Sequence, residues 1–358
     1  MSYIILNGVK STDIRGLLIQ SLPPISKPLI RTQIEEIDGR DGDIVTKLGY
    51  AAYDKTMEIG LHGDFDIDQV IKYFDSQGIV TFSNEPDKYY YYQIIEQIDF
   101  EKLFRFKTAS VVFHVQPFKY STVDQKFTYD NQFISFNDYT ETKNGITLSA
   151  VGGVISVSGT GSDATEFYMP IDKAVLDVGS YTLRAVVQGT GASACSIRLI
   201  DVDQSNANSF GETYLTLDDD VCILTANLSA EKSFDNLWFS ITAGTATDFS
   251  VSVIVYENSI EYTITNMGNT VSRPKITIYG SGTINLSLNG NQIFVINLNE
   301  NDWITIDSAQ MNAYQNGILR NRIVTGDYDN LVLPMGKSTF SFTGIVTGFE
   351  IEDFSRWI

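Results

Sequence analysis

Short runs in which apolar and polar residues alternate recur along this chain, and they leave it few folds other than β-rich ones. In Thr56–His62 the apolar Met57, Ile59 and Leu61 alternate with Thr56, Glu58, Gly60 and His62, the period of a strand with one buried face. The same texture returns at Val154–Val157, Tyr181–Val187, Cys195–Val202, Thr213–Leu217, Leu237–Ile241 and Phe249–Tyr256. Small and hydroxylated stretches such as Ser158-Gly-Thr-Gly-Ser162 and Gln188-Gly-Thr-Gly-Ala-Ser193 separate these runs and suit turns. With 21 Phe, 19 Tyr and 27 Gly among 358 residues, composition points the same way. The expectation is a mainly β chain, long enough for two or three separate cores.

The charge narrows the partners. Asp and Glu number 44 against 25 Lys and Arg, a formal charge of -19, and phosphate backbones are held by clustered cations that this chain lacks. Between 124 and 255 there are 17 acidic and 6 basic residues, so this third alone carries 6 − 17 = −11. No apolar run has the length of a membrane span, and the first residues lack the basic start and apolar core of a secretion signal. No membrane partner and synthesis in a cytoplasm are therefore expected. Cys195 and Cys222 both fall in strand-like runs; two buried thiols or one inter-strand disulfide would fit, and buried thiols are favoured.

Three units are read in order: 1–122, 124–256 and 257–358. In the first, Ile67, Val70, Ile71 and Phe74 mark a helix stripe, with Asp64 or Asp66 to cap its start and Gly78 to suit its end. Tyr89–Phe100 and Phe104–Val115 read as an antiparallel pair. Between Leu29–Ile37 and Thr56–His62 runs a long charged connection, with Asp38, Gly39, Arg40, Asp41 and Gly42 at its centre. It cannot bury itself. It is either a mobile surface loop or an arm that orders by packing on a neighbouring subunit. The middle unit reads as a β-sandwich of jelly-roll type. In the last, Asn289-Gly290 supplies a hairpin turn, Asp307–Tyr314 reads as one helical turn capped by Asp307, and Phe340–Ile351 reads as a closing pair about Gly344.

Catalytic chemistry finds little support. His62 and His114 are the only histidines, in separate predicted strands, and no nucleophile elbow, phosphate loop or zinc-protease motif is present. The pair Asp201 and Asp203 and the run Asp218, Asp219 and Asp220 offer carboxylates for glycoside hydrolysis, hard oxygen ligands for a structural calcium ion, or simply solvated loops. Sugar binding needs an aromatic platform beside hydrogen-bonding groups. Leu237, Phe239 and Ile241 share one strand face, which leaves Trp238 on the other with Ser240 and Thr242, and Phe210, Tyr214 and Tyr168 are weaker candidates. Trp303 and Trp357 read as packing residues.

One end of the chain carries Asn7-Gly8, the Ile37-Asp-Gly-Arg-Asp-Gly42 arm and Phe113-His-Val-Gln-Pro-Phe118. The other carries Asn266-Met-Gly-Asn269 before Arg273-Pro274, Ile304-Thr-Ile-Asp307 before Met311-Asn-Ala-Tyr314, and the glycine-centred terminal segment. In these elements and their order both ends resemble the distal tail proteins of phages with long non-contractile tails. The resemblance implies a ring-forming, tail-tube-like α+β first unit assembled as a homo-hexamer at the virion tail tip, between the tail-tube protein and tip proteins, with the genome passing through its lumen. It implies a galectin-like β-sandwich last unit and, near 124–255, an inserted module similar to carbohydrate-binding modules that would face host surface polysaccharide. Arg40 and Asp41 would then make charged contacts to the next subunit. No enzyme and no required cofactor are expected.

Overall fold

A computed structural model describes residues 2–358 apart from 40, 124, 131–133, 136, 172, 175–178, 204–205, 217–220 and 229–236. The chain is mainly β, with three hydrophobic cores, each between or against antiparallel sheets.

The first core lies under one antiparallel sheet. Its strands run in the order Val9–Lys10, Ile4–Leu6, Gln77–Phe82, Lys88–Gln93, Thr108–Ser121, Tyr53–Leu61 and Leu17–Ser21. Met57 and Ile59 point inward, as their alternation requires. Helix α1, Ile67–Phe74, starts where Asp66 accepts from the amides of Asp68 and Gln69 at 3.1 and 3.3 Å and lays Val70, Tyr73 and Phe74 on the sheet. Two expectations fail here. Ile71 is exposed and Tyr73 takes the buried place, because Tyr73 also donates its hydroxyl to the carbonyl of Val9 (3.1 Å). Gly78 does not end the helix, which stops at Asp75. It sits in the next strand at φ +141, where a Cβ would lie 2.1 Å from the Asn7 amide oxygen. A second helix, α2, Phe100–Phe106, replaces part of the expected strand pair. Asp99 caps it by accepting from the Lys102 amide (2.7 Å), and Lys107 closes it in the left-handed region at φ 59.

The last core is built on long strands. Lys275–Leu288 and Asn291–Asp307 form the hairpin expected at Asn289-Gly290, with φ of 51 and 80 at the two turn residues. Gly336–Glu352 is one bent strand rather than a closing pair. Gly344, at φ +109, lets it approach Thr283, whose carbonyl oxygen would be 2.4 Å from an added Cβ. Asp307 does accept from the Gln310 amide (2.9 Å), but the turn leads into the strand Asn312–Gln315 because Met311 lies at φ 53 and Asp307 pairs with Asn312. The strand Lys126–Asp130, placed in the insert by sequence, pairs with Glu352–Gly348 in this last sheet. Arg356–Trp357 crosses to the first sheet, pairing with Tyr120 and Lys119. The Arg356 guanidinium lies 3.9 Å over the Phe118 ring.

Between Asp130 and Ser259 lies the insert's own sandwich. A sheet ordered Tyr139–Lys143, Ile146–Val151, Val154–Thr160, Ala246–Glu257, Gly179–Thr190, Val221–Leu228 faces one ordered Thr165–Pro170, Leu237–Ala243, Ser196–Asp203, Asn206–Tyr214. From Val154 onward the chain crosses between the sheets after nearly every strand, and Leu183, Val251, Phe167, Phe239 and Ile241 meet in the middle. Cys195 and Cys222 are both buried free thiols in this core. Burial pushes the Cys195 thiol up, against a hydrogen bond from the Gly244 amide (3.2 Å).

Candidate functional site

Cross-strand register places side chains of distant sequence on the outer face of the four-stranded insert sheet. Residues directly opposite in antiparallel strands share a face. One row runs Glu166, Thr242, Ser196, Tyr214; the next runs Tyr168, Ser240, Arg198, Glu212; a third holds Pro170, Trp238 and Ile200. Phe167, Met169, Ile197, Leu199, Phe239 and Ile241 fill the core side. Trp238 is thus on the outer face and half-buried, Tyr168 is just exposed and Tyr214 is 71% exposed.

Glu166 is the centre of this face. One carboxylate oxygen accepts from the Ser240 hydroxyl (2.6 Å) and from Arg198 Nη2, and the other accepts from the Tyr168 hydroxyl (2.9 Å). Arg198 Nη2 also reaches Ser240 Oγ at 3.1 Å. Burial pushes Glu166 up, but the hydrogen bonds from Ser240 and Tyr168 and the charge of Arg198 outweigh it, and the net is a carboxyl below its ordinary range. The hydrogen bond to Glu166 is the main reason Tyr168 is pushed up. Tyr139 donates its hydroxyl to Glu141 (2.9 Å) near the Tyr168 carbonyl (3.4 Å). The result is a rigid polar cluster flanked by aromatic rings, with Arg198 Nε having no hydrogen-bond partner among the described residues.

Of the sequence candidates, Trp238, Tyr168 and Tyr214 share this face, on three different strands. Phe210 lies in the strand Asn206–Tyr214, and its side chain is outside the described residues. The same holds for the side chains of Asp201 and Asp203, whose backbones pair with Asn208 and Asn206; Asp218, Asp219 and Asp220 lie outside the described residues altogether. Among the described residues no group of three His, Cys, Asp or Glu is placed to hold a metal. Sequence reasoning placed Ser240 on the face of Trp238 but missed Glu166 and Arg198.

The arm is a long hairpin. Ile30–Glu35 pairs with Ile44–Tyr50, and among the described residues these two strands pair with no other strand. Asp38, Gly39, Asp41 and Gly42 are exposed at its tip, the glycines at φ 80 and 78; Arg40 is outside the described residues. Ile34 and Val45 face each other across the hairpin, both exposed. Four hydrogen bonds tie down its base: Ala51 amide to Leu29 carbonyl (2.8 Å), Lys55 Nζ to Pro24 carbonyl (2.8 Å), Asn84 Nδ2 to Pro23 carbonyl (3.0 Å) and Tyr53 hydroxyl to Ser26 carbonyl (3.4 Å). Beneath it, Glu85 accepts from Lys119 and from Tyr90, each at 2.7 Å, in a buried cluster.

The architecture defined so far is an α+β unit with a projecting hairpin, joined to a β-sandwich that a second sandwich interrupts. No known protein-family model matches the chain, and no curated protein sequence does. Among solved structures it is similar to the Dit protein of phage SPP1, described as a paradigm of the hub adsorption apparatus in phages infecting Gram-positive bacteria, with 16% identity, a TM-score of 0.28 and coverage of 72% of this chain and 99% of that one. It is also similar to the phage p2 baseplate in its activated conformation with Sr, at 10% identity and a TM-score of 0.36 over 98% of this chain and 96% of that one. A family 29 carbohydrate-binding module, CBM29-2, aligns at 10% identity and a TM-score of 0.24 over 37% of this chain and 85% of its own. At such identities and scores the likeness bears on no residue's role.

Proposed function

We propose that the chain is a structural hub of a phage tail tip, a hexameric ring made through the arm that joins the tail-tube protein to tip proteins and carries the insert toward host surface polysaccharide. The observation that carries this reading is the arm. An isolated two-stranded hairpin is only marginally stable in water, yet this one holds Ile34 beside Val45 in the open; packing on a neighbouring subunit supplies the missing cover. The hexamer and the tail-tube and tip partners come from the resemblance of the chain's two ends to distal tail proteins. Light scattering on the full chain tests assembly: a hexamer or a multiple of it is expected, and a monomer at high concentration would end the ring reading.

For the insert, the outer sheet face supports sugar binding. Pyranose rings stack on aromatic faces such as Trp238 and Tyr214, while Glu166, Arg198 and Ser240 hold donors and acceptors in fixed places. Glu166 is engaged by three donors and held ionised, the opposite of the raised carboxyl that a glycosidase needs as general acid. This favours binding over hydrolysis. On a glycan array the full chain should bind and Trp238→Ala should lose most of that binding. If the intact chain binds no glycan, the exposed Tyr214 points instead to docking of another tail protein, since tyrosine is enriched at such interfaces. No cofactor is required in this reading. Calcium at Asp201 and Asp203, or at Asp218, Asp219 and Asp220, would show as a higher melting temperature with calcium than with a chelator.

A further inference from the structure

Two exposed apolar surfaces of the first unit lie at opposite ends of one strand. The arm joins Tyr53–Leu61 at Tyr53, and α2 meets it at Leu61, whose amide donates to the Lys107 carbonyl (3.3 Å). Extended chain of that length puts the two ends roughly 26 Å apart. On the arm, Ile34, Val45 and Leu48 are 59, 61 and 55% exposed. At the other end Phe104 and Phe106 are 54 and 71% exposed.

The charges beside these surfaces are opposite. Glu36, Asp38, Asp41 and Asp43 surround the arm tip, and none of them forms an ion pair among the described residues. On α2, Asp99 serves as the cap and Glu101 pairs with Arg105 (2.7 Å). Lys102 and Lys107 remain without a carboxylate among the described residues, Lys107 lying 4.0 Å over the Phe65 ring. One end therefore offers an apolar pair behind an acidic tip, and the other an apolar patch with a cationic rim. A heterologous contact joins two different patches and closes a ring when the rotation repeats. Each copy carries one patch of each kind, at opposite ends.

We infer that the arm of one copy docks on the α2 patch of the next, with Ile34 and Val45 against Phe104 and Phe106 and the tip carboxylates near Lys102 and Lys107. This rests on the arm being an assembly element and adds its acceptor. The full chain tests it by cross-linking. Mixing Val45→Cys chains with Phe106→Cys chains under oxidation should give covalent pairs that neither variant gives alone, Cys195 and Cys222 being buried. Phe104→Asp with Phe106→Asp, both at exposed positions, should raise the concentration for half-assembly at least about tenfold. Lys102→Glu with Lys107→Glu should weaken assembly and regain it with Asp41→Lys and Asp43→Lys. If Ile34→Asp with Val45→Asp dissociates the assembly while the α2 variant assembles like wild type and no cross-link forms, the acceptor is wrong and the arm reading stands. If both variants assemble like wild type, or the wild type is monomeric, both fall.

Discussion

Lys55 shows how a single buried charge is balanced in this protein. Its Nζ is 2.8 Å from the Pro24 carbonyl oxygen and 5.0 Å from the centre of the Tyr90 ring, in a cluster that also holds Glu85, Lys119 and Tyr53. Burial pushes Lys55 down to about 8, with Glu85 opposing the shift and Lys119 adding to it. The folded chain thus releases this proton before the unfolded chain does, and between about 8 and the ordinary 10.5 the unfolded state binds more protons. Stability from this residue rises with pH across that window. Calorimetric melting of wild type and Lys55→Met should show their difference moving in favour of wild type from pH 8 to 10; a constant difference would contradict the assignment. Glu166 gives the same sign at lower pH. Its depressed carboxyl stabilises the fold above the unfolded carboxylate range and loses that contribution as pH falls through its own, so Glu166→Gln should differ from wild type at neutral pH and converge with it in acid.

Among the elements, α1 was readable and α2 was not. Asp66 and the stripe at Ile67, Val70 and Phe74 announce α1, and Asp66→Ala should destabilise it by about 1 kcal/mol, seen as faster amide hydrogen exchange in its first turn. Phe100-Glu-Lys-Leu-Phe-Arg-Phe106 carries bulky aromatics that favour strands as much as helices, and only the Asp99 cap marks its start. The alternating runs of the insert became strands because one sandwich face buries every second residue. The site was less legible. Trp238, Ser240 and Tyr168 could be placed from alternation, but Glu166 and Arg198 acquire meaning only from the register of three strands, and register is a long-range property that local patterning does not carry. The arm hairpin was similarly hidden, because Arg31, Gly49 and the bulge between Arg31 and Thr32 break its alternation.

At the scale of the whole molecule, the end of the chain fastens the first and last units together. Arg356 and Trp357 add to the first sheet, and the Ile358 amide donates to Asn269 Oδ1 at 2.8 Å in the last unit. Gly268 makes room for this: a Cβ there would lie 1.8 Å from the Arg356 carbonyl oxygen. Gly268→Ala should therefore displace the terminal strand and expose Phe118 and Trp357, measurable as a change in tryptophan fluorescence and faster proteolysis of the last residues.

The flanks of the insert are both held by the strand Gly336–Glu352, Asp130 opposite Gly348 and Ser259 opposite Thr343. These points are roughly 17 Å apart along that strand, a span that about eight flexible residues cover. A chain with 131–258 replaced by such a linker should fold and assemble as the full chain does, which circular dichroism and light scattering would check. The same anchorage decides where mechanical load goes. Tension applied to the insert would enter at Asp130 and Ser259 and pass along their two ladders into a single strand at the heart of the last core.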